Sequence, residues 1–337
     1  MISVVMPGYN VEKTVGEDLE ALLKQTKQFK EKVEIIFVDD GSTDNTVKVV
    51  KRFRIKVIKQ IHAGPAVARN RGIKTAKGRI VIFLDADCKI SKNWLKEIVK
   101  PFEDEKIAGV GVRYETWNKY SWVARFVGYE IEQRQNKMDR DVDFLASYST
   151  AFRRNILLKL GGFDIKFKIA SAEDNDLSYK IKNLGYKLVF LKNIFVYHKH
   201  PESLINYFKK QYNHAKWRTV LWKEDIRNLK IPRGDKYAGR NTFALQPFLS
   251  LFASLVAILL LYTLYIINPF LGAIPIVFLY GFAFGMNTPT AIMVWDKGDK
   301  FVALLIPLLF FVRNFVWFLG LGAGILGLSI RILKKVK

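Results

Sequence analysis

RIVIFLDADCKISKNW, residues 79–94, runs a set of apolar residues straight into two aspartates one residue apart. Ile80, Val81, Ile82, Phe83 and Leu84 read as a strand that is apolar on both faces. Strands of that kind belong to sheets covered by helices on both sides. Asp85 and Asp87 follow at its carboxyl end. If the strand continues, its period of two turns both carboxylates to one side and Ala86 to the other. Two like charges so placed repel. Either a positive group sits between them, or the pair is a solvated loop.

Working outward, the first hundred residues alternate strand and helix patterns. ISVVM is a strand that ends in Pro7-Gly8, and residues 12–25 carry a helical pattern. VEIIFV is a second strand, ending at Asp39-Asp40-Gly41. Ser42, Thr43 and Asp44 are capping types ahead of the helix NTVKVVKRF. KVIK is a third short strand. PAVARNRGIKTAKG reads as a helix with Pro near its start and Gly78 at its end. This alternation predicts a parallel sheet with right-handed crossovers. In such open sheets, ligands sit beyond the carboxyl ends of the strands. Three strand ends carry polar groups there: Pro7 to Asn10, Asp39 to Gly41, and Asp85 to Asp87. Neither G-x-G-x-x-G after the first strand nor G-x-x-x-x-G-K-[ST] anywhere is present, so the common dinucleotide and P-loop signals are missing. Residues 101–200 are less regular. A helix opens near Glu173-Asp174, runs to Gly185 and leads into the strand KLVFL.

A hard divalent cation with oxygen ligands answers the opening question. Mg²⁺ or Mn²⁺ takes one or two carboxylates and fills its shell with phosphate oxygens and water. Held by Asp87 against a diphosphate, it neutralises both and stabilises a phosphate leaving group. Asp39 and Asp40 suit hydrogen bonds from a base or ribose, and Arg69 and Arg71 suit phosphates, or else a solvated helix face. Asp174 or Glu173 is placed to take a proton from an acceptor hydroxyl. As first-turn acids, both equally suit the helix dipole. His198 and His200, in VYHKHP after a strand, are within reach of the site or are packed. Together these parts describe group transfer from a nucleotide diphosphate.

The 337 residues carry a net charge of +23 and one cysteine, Cys88, so no internal disulfide forms. That suits a reducing cytoplasm. MISVVMPGYN is not a signal peptide. From Thr242 to Lys337 there are seven Lys/Arg and two Asp/Glu, so most of the positive charge lies earlier. Residues 243–267, 269–286 and 301–330 are apolar segments long enough to cross or enter a bilayer, the middle one either spanning or re-entrant. Arg313 lies inside the third, where it must face protein, water or a lipid phosphate. From Lys192 to Arg240 there are twelve Lys/Arg and four Asp/Glu, interleaved with Tyr207, Phe208, Tyr212, Trp217 and Trp222. Such a stretch lies at a membrane surface and sets the preceding part on the cytoplasmic side. An attached membrane region gives the positive charge a use that nucleic-acid binding does not, and no nucleic-acid partner is expected.

VVMPGYN, VDDGSTDNT, ARNRG, FLDADC and GGFD…AEDNDLSYKIKNLGY, in this order and spacing, resemble a family 2 glycosyltransferase with the GT-A fold over residues 1–200. The resemblance implies an α/β, Rossmann-like nucleotide-sugar-binding domain, residues 1–100 forming its nucleotide half and 101–200 its acceptor half. Basic amphipathic membrane-interface helices would follow over 201–242, and two or three transmembrane helices over 243–331. By position, Pro7, Tyr9, Asn10 and Glu12 line the nucleotide pocket. Asp40, with Asp39 beside it, binds base or ribose, and Arg69 lies near the diphosphate. Asp85, Ala86 and Asp87 meet the nucleotide sugar, with Asp87 and Asp85 on a Mg²⁺ or Mn²⁺ ion. Asp174 is the catalytic base, supported by Glu173. Members of this kind invert the anomeric centre.

Processive relatives carry Q-x-x-R-W, whereas here QYNHAKWRT spaces Gln211 and Trp217 more widely. Polyprenyl-phosphate sugar synthases continue D-A-D with L-Q-H-P, whereas here Cys88, Lys89 and Ile90 follow. The expectation is therefore a membrane-bound, metal-dependent transferase. It takes a UDP- or GDP-sugar in the cytoplasm and delivers the sugar to a polyprenyl-linked saccharide, with the basic stretch and Arg313 holding lipid phosphate. The alternatives are direct transfer onto polyprenyl phosphate, and a non-catalytic nucleotide-sugar-binding membrane protein.

Overall fold

The protein is described by a computed structural model covering residues 1–167, 172–228 and 288–333. The apolar segments 243–267 and 269–286 lie outside the described residues.

Four strands form the half of the sheet that the opening sequence foretells: β1 (Ile2–Gly8), β2 (Val33–Asp39), β3 (Lys56–Lys59) and β4 (Ile80–Leu84). They pair in the order β3-β2-β1-β4, all parallel. Parallel neighbours need a crossover, supplied by α1 (Val15–Gln28), α2 (Thr46–Val50) and α3 (Pro65–Thr75). All five residues of β4 are buried, so the two-sided apolar reading holds. On one face Val4, Met6, Phe37, Ile82 and Leu84 meet Leu19 and Leu22 of α1. On the other, Val5, Ile36, Val38, Val81 and Phe83 meet Ala68 and Ile73 of α3.

The helix α3 presses on β1 at Gly72, where any Cβ would overlap the Val5 side chain. Gly78 does not cap this helix as the sequence suggests. α3 stops at Thr75, and Gly78 lies against β1, its N–H donating to Ser3 Oγ at 2.7 Å.

Beyond β4 the sheet becomes mixed. The next elements are β5 (Cys88–Ile90), α4 (Trp94–Val99), β6 (Ile107–Thr116), α5 (Trp122–Asn136), β7 (Asp141–Val142), β8 (Ser149–Arg153), α6 (Arg154–Leu160), α7 (Glu173–Asn183) and β9 (Lys187–His198). β8 lies antiparallel on β4, and the order continues β8-β6-β9-β5. The parallel sheet expected from the first hundred residues holds for β1 to β4, while the rest is mixed: β4–β8, β8–β6, β9–β5 and β7–β9 are antiparallel and β6–β9 is parallel. A residue pattern reports which faces of a strand are buried and is silent on its direction.

The described residues form two compact units. The first holds residues 1–118, 134–199 and, of those described, 223–228 at the end of α8; the second holds 119–133, 200–222 and the described residues from 288 onward. In the second unit, α8 (Leu204–Asn228), a helix over residues 288–296 and α9 (Lys300–Leu333) gather around α5. Phe126 and Val127 of α5 and Tyr207 of α8 pack on Val302, Ile306, Leu309 and Phe310 of α9. Among the described residues, α9 is the one helix long and apolar enough to cross a membrane.

Arg313 of α9 does not point to open lipid. It donates to Glu130 Oε1 at 2.7 Å and to Asn314 Oδ1 at 2.9 Å, and Tyr207 Oη donates to Glu130 Oε2 at 2.6 Å. The lipid-phosphate role expected for Arg313 is corrected by this pair. A guanidinium among apolar side chains takes the carboxylate placed beside it rather than remain uncompensated.

Glu130→Gln should destabilise the protein by about 3–5 kcal/mol, because a charge is left buried without its partner. Replacing both Glu130 and Arg313 by Met should restore most of the loss, and denaturant unfolding of the two variants checks this.

Candidate active site

The chain leaves extended structure at Leu84. Residues 85–87 turn, with the Cys88 N–H donating to the Asp85 carbonyl at 3.1 Å, and re-enter the sheet as β5. The alternation that would aim Asp85 and Asp87 together therefore does not govern them. Asp85 Oδ1 accepts from Arg69 Nη2 at 3.0 Å, while Asp87 Oδ2 lies 3.7 Å from His198 Nε2. The positive group that the two aspartates call for arrives from α3.

Arg69 is almost wholly buried, and its other amino group, Nη1, donates to Glu173 Oε1 at 3.3 Å. Burial works against its charge, and Asp85, Asp174 and Glu173 more than offset that, holding the guanidinium above its ordinary range. Arg69 thus ties α3, the turn after β4 and the start of α7 together.

The acidic pair at the head of α7 is split by its partners. Glu173 is engaged by Arg69, and its Oε2 accepts from the Ala172 N–H at 3.1 Å. Asp174 Oδ2 accepts from the Ser147 N–H at 3.1 Å, while its Oδ1 has no partner. One oxygen of Asp174 is therefore left without a hydrogen-bond partner.

The polar ends of β1 and β2 converge as the sequence suggests, and much of their capacity is used internally. Asp40 Oδ1 accepts from Gln60 Nε2 at 2.7 Å and the Ala63 N–H at 2.9 Å; Oδ2 accepts from the Gly64 N–H at 2.9 Å. It shapes the loop that leads into α3. Asp39 is buried and takes the Ser42 N–H at 3.2 Å on Oδ1. Asn10 Oδ1 accepts from the Thr43 N–H at 2.8 Å, and Glu12 Oε2 from the Asn45 N–H at 2.8 Å, so both brace the loop before α2. Pro7 lies in β1 opposite Val38. Tyr9 is exposed, with its ring 4.3 Å from that of His62. The Ala86 carbonyl accepts from Thr14 Oγ1 at 2.9 Å, which holds the head of α1 to the D-A-D turn.

Beside this turn, side-chain donor atoms of Asp87, Cys88 and His198 lie within 4.8 Å of one another. Antiparallel pairing sets Cys88 directly opposite His198. A carboxylate with an imidazole suits Mn²⁺ and its neighbours in the divalent series, so these residues fit such an ion. Burial pushes the Cys88 thiol well up, and Asp87 and Asp85 add to it, so the sulfur is protonated at neutral pH. Sequence reading leaves His198 and His200 level with each other; the β5–β9 pairing singles out His198. Asp18 escapes sequence reading, because an acid in the first turn of a helix is ordinary. In the fold it is fully buried, and burial, with Asp87 and Glu17 adding to it, raises its carboxyl to about 8.

Residues 3–161 match the model of the family described as Glycosyl transferase family 2. The chain carries a family 2 glycosyltransferase domain. The match spans Asp39, Asp40, Arg69, Asp85 and Asp87 and ends before Asp174 and His198. The minor teichoic acid biosynthesis protein GgaA of Bacillus subtilis (strain 168) is 29% identical over 260 residues, which is 70% of this chain and 55% of GgaA. The Escherichia coli UDP-Glc:alpha-D-GlcNAc-diphosphoundecaprenol beta-1,3-glucosyltransferase WfgD is 36% identical over 131 residues, 38% of this chain and 51% of WfgD. The chain thus spans about half the length of these curated relatives. A solved structure of the mannosyltransferase PcManGT from Pyrobaculum calidifontis, in complex with GDP-Man and Mn²⁺, superposes with a TM-score of 0.62. It covers 96% of this chain and 86% of that one at 19% identity, a likeness of fold. The GT-A, Rossmann-like arrangement expected from the sequence is the one found.

Asp18 predicts a pH dependence. The folded carboxyl keeps its proton up to about 8, whereas an unfolded one releases it near 3.8. The folded state binds the extra proton across that interval, so metal-free stability falls as pH rises from about 4 to about 8. Urea midpoints measured with a chelator present, at about pH 5 and about pH 8, should differ in that direction. Asp18→Asn should remove this part of the slope.

Proposed function

We propose that the protein is an inverting, metal-assisted glycosyltransferase. It moves a sugar from a UDP- or GDP-sugar to a membrane-associated acceptor, a polyprenyl-linked saccharide, at the cytoplasmic face of a membrane. The observation that carries this reading is the division of labour at the head of α7. Glu173 is bound to Arg69, and Asp174 keeps one oxygen without a partner. An inverting transfer needs one base and no enzyme nucleophile. Asp174 Oδ1 takes the proton of the acceptor hydroxyl as its oxygen attacks the anomeric carbon. Arg69 and Glu173 position this base and Asp85 and stay out of the bond changes.

Asp87 and His198 would hold Mg²⁺ or Mn²⁺, which supplies charge neutralisation for the departing nucleoside diphosphate. Tyr9 offers an exposed ring against which a base stacks, and Asp39, beside the loop shaped by Asp40, is the nearer carboxylate for ribose or base. Both amino groups of Arg69 are engaged by carboxylates, and its part toward the diphosphate is to set Asp85 in place. By their printed names, WfgD uses UDP-Glc and a diphosphoundecaprenol-linked sugar, and PcManGT is held with GDP-Man and Mn²⁺. Those names support the donor class, the lipid-linked acceptor and the cation. The exposed Lys209, Lys210 and Lys216 of α8, together with the apolar α9, support an integral membrane protein whose basic face meets anionic lipid.

A donor screen in detergent tests the reading. UDP or GDP release is followed over a panel of nucleotide sugars with Mn²⁺ or Mg²⁺, with a polyprenyl-linked saccharide or bare polyprenyl phosphate as acceptor. Release with one donor that depends on the saccharide-bearing lipid is the expected result. Equal release with bare polyprenyl phosphate would transfer the reading to direct lipid-phosphate glycosylation. Asp174→Asn should keep donor binding and lower transfer by about 10²–10⁴-fold, and near-normal turnover would remove Asp174 as the base.

A further inference from the structure

We propose that Asp18 supplies the second carboxylate for a divalent cation held at the Asp87, Cys88 and His198 cluster. The inference rests on the reading of that cluster as the cation site. Asp18 lies in the first turn of α1 and is fully buried, and neither of its oxygens has a hydrogen-bond partner. An ionised carboxylate in that state is costly, and it persists where a positive group compensates it.

Lys89 and Lys199 lie near enough for their charges to reach Asp18, but neither hydrogen-bonds to it and both also meet other groups. Lys89 Nζ lies 3.7 Å from Glu17 and 5.8 Å from the centre of the Trp117 ring. Lys199 Nζ sits 5.2 Å from the same ring centre. The carboxyl is also well located. α1 packs against β5, the strand that follows the D-A-D turn, and Thr14 at its head bonds to Ala86 within that turn.

Charge balance points the same way. Asp85 and Glu173 are both spent on Arg69. Asp87 is the one carboxylate of the cluster, and a single carboxylate leaves a divalent ion half compensated. Divalent ions at sugar-nucleotide and phosphate sites take one or two carboxylates from the protein. Asp18 is a buried acid without a hydrogen-bond partner on the helix packed against β5, and it brings the second negative charge through a water of the ion.

The test is Mn²⁺ binding to the full-length protein in detergent, without donor, read by titration calorimetry and by the rise in Tm that Mn²⁺ produces. Asp18→Asn, Asp18→Ala and Asp87→Asn are compared with the wild type. Both Asp18 variants should bind Mn²⁺ roughly tenfold to a hundredfold more weakly. Their metal-free Tm should hold or rise, because the cost of keeping that carboxyl buried without a hydrogen-bond partner has gone. Wild-type affinity in the Asp18 variants beside lost binding in Asp87→Asn would overturn the role of Asp18 and leave the cation site standing. Undiminished binding in Asp87→Asn, or none in the wild type, would overturn both. A lower metal-free Tm with unchanged affinity would make Asp18 a packing residue and overturn the proposal.

Discussion

The buried guanidinium of Arg69 is the contact on which the site depends. One side chain from α3 meets Asp85 from the turn after β4 and Glu173 from the first turn of α7. α7 is about a hundred residues from α3, and the apolar cluster shared by Ala68, Ile73, Phe83, Leu177 and Ile181 brings these segments together beneath the arginine. Remove the cation, and two carboxylates face each other in a low-dielectric interior, where like charges repel strongly. The approach that lets Arg69 reach them is set one turn further along α3. There Gly72 lets the helix lie directly on Val5 of β1. Packing and electrostatics are thus coupled within four residues, Arg69 to Gly72.

Once that contact is made, the remaining acidic groups sort themselves by how fully they are satisfied. Asp40, Asn10 and Glu12 accept backbone N–H groups of the loops that they border. Their work is to shape the rim, and it is complete without a ligand. Asp174 retains a bare oxygen, and Asp18 retains two. Buried polar groups are ordinarily hydrogen-bonded, so such exceptions call for a reason. Asp174 opens α7 and Asp18 lies in the first turn of α1, the helix packed on β5.

The second unit follows a parallel logic. α9 is apolar enough to enter a bilayer, yet one face of it packs on α5 and α8, and Arg313 near its middle is held by Glu130. Tyr207 bonds to the same carboxylate, so three helices share one polar contact inside an apolar cluster. That contact specifies which faces of the helices meet, a task that interchangeable apolar side chains perform poorly.

The sequence by itself determined β1 to β4, their two-sided burial, the helices between them and the convergence of polar groups at three strand ends. Those features are local: periodicity, turn residues and caps act over a few positions. It also marked Asp87, Asp174 and the apolar character of α9. What it could not supply was anything that depends on which distant segments touch. The antiparallel return of β8 onto β4, the turn that separates Asp85 from Asp87, the pairing of Cys88 with His198 and the burial of Asp18 were decided by the tertiary structure. So was the fate of Arg313, which sequence reasoning left to protein, water or lipid and the fold gave to Glu130. Charge compensation in a buried site is a long-range matter, settled by whichever partner the chain brings within about 3–4 Å.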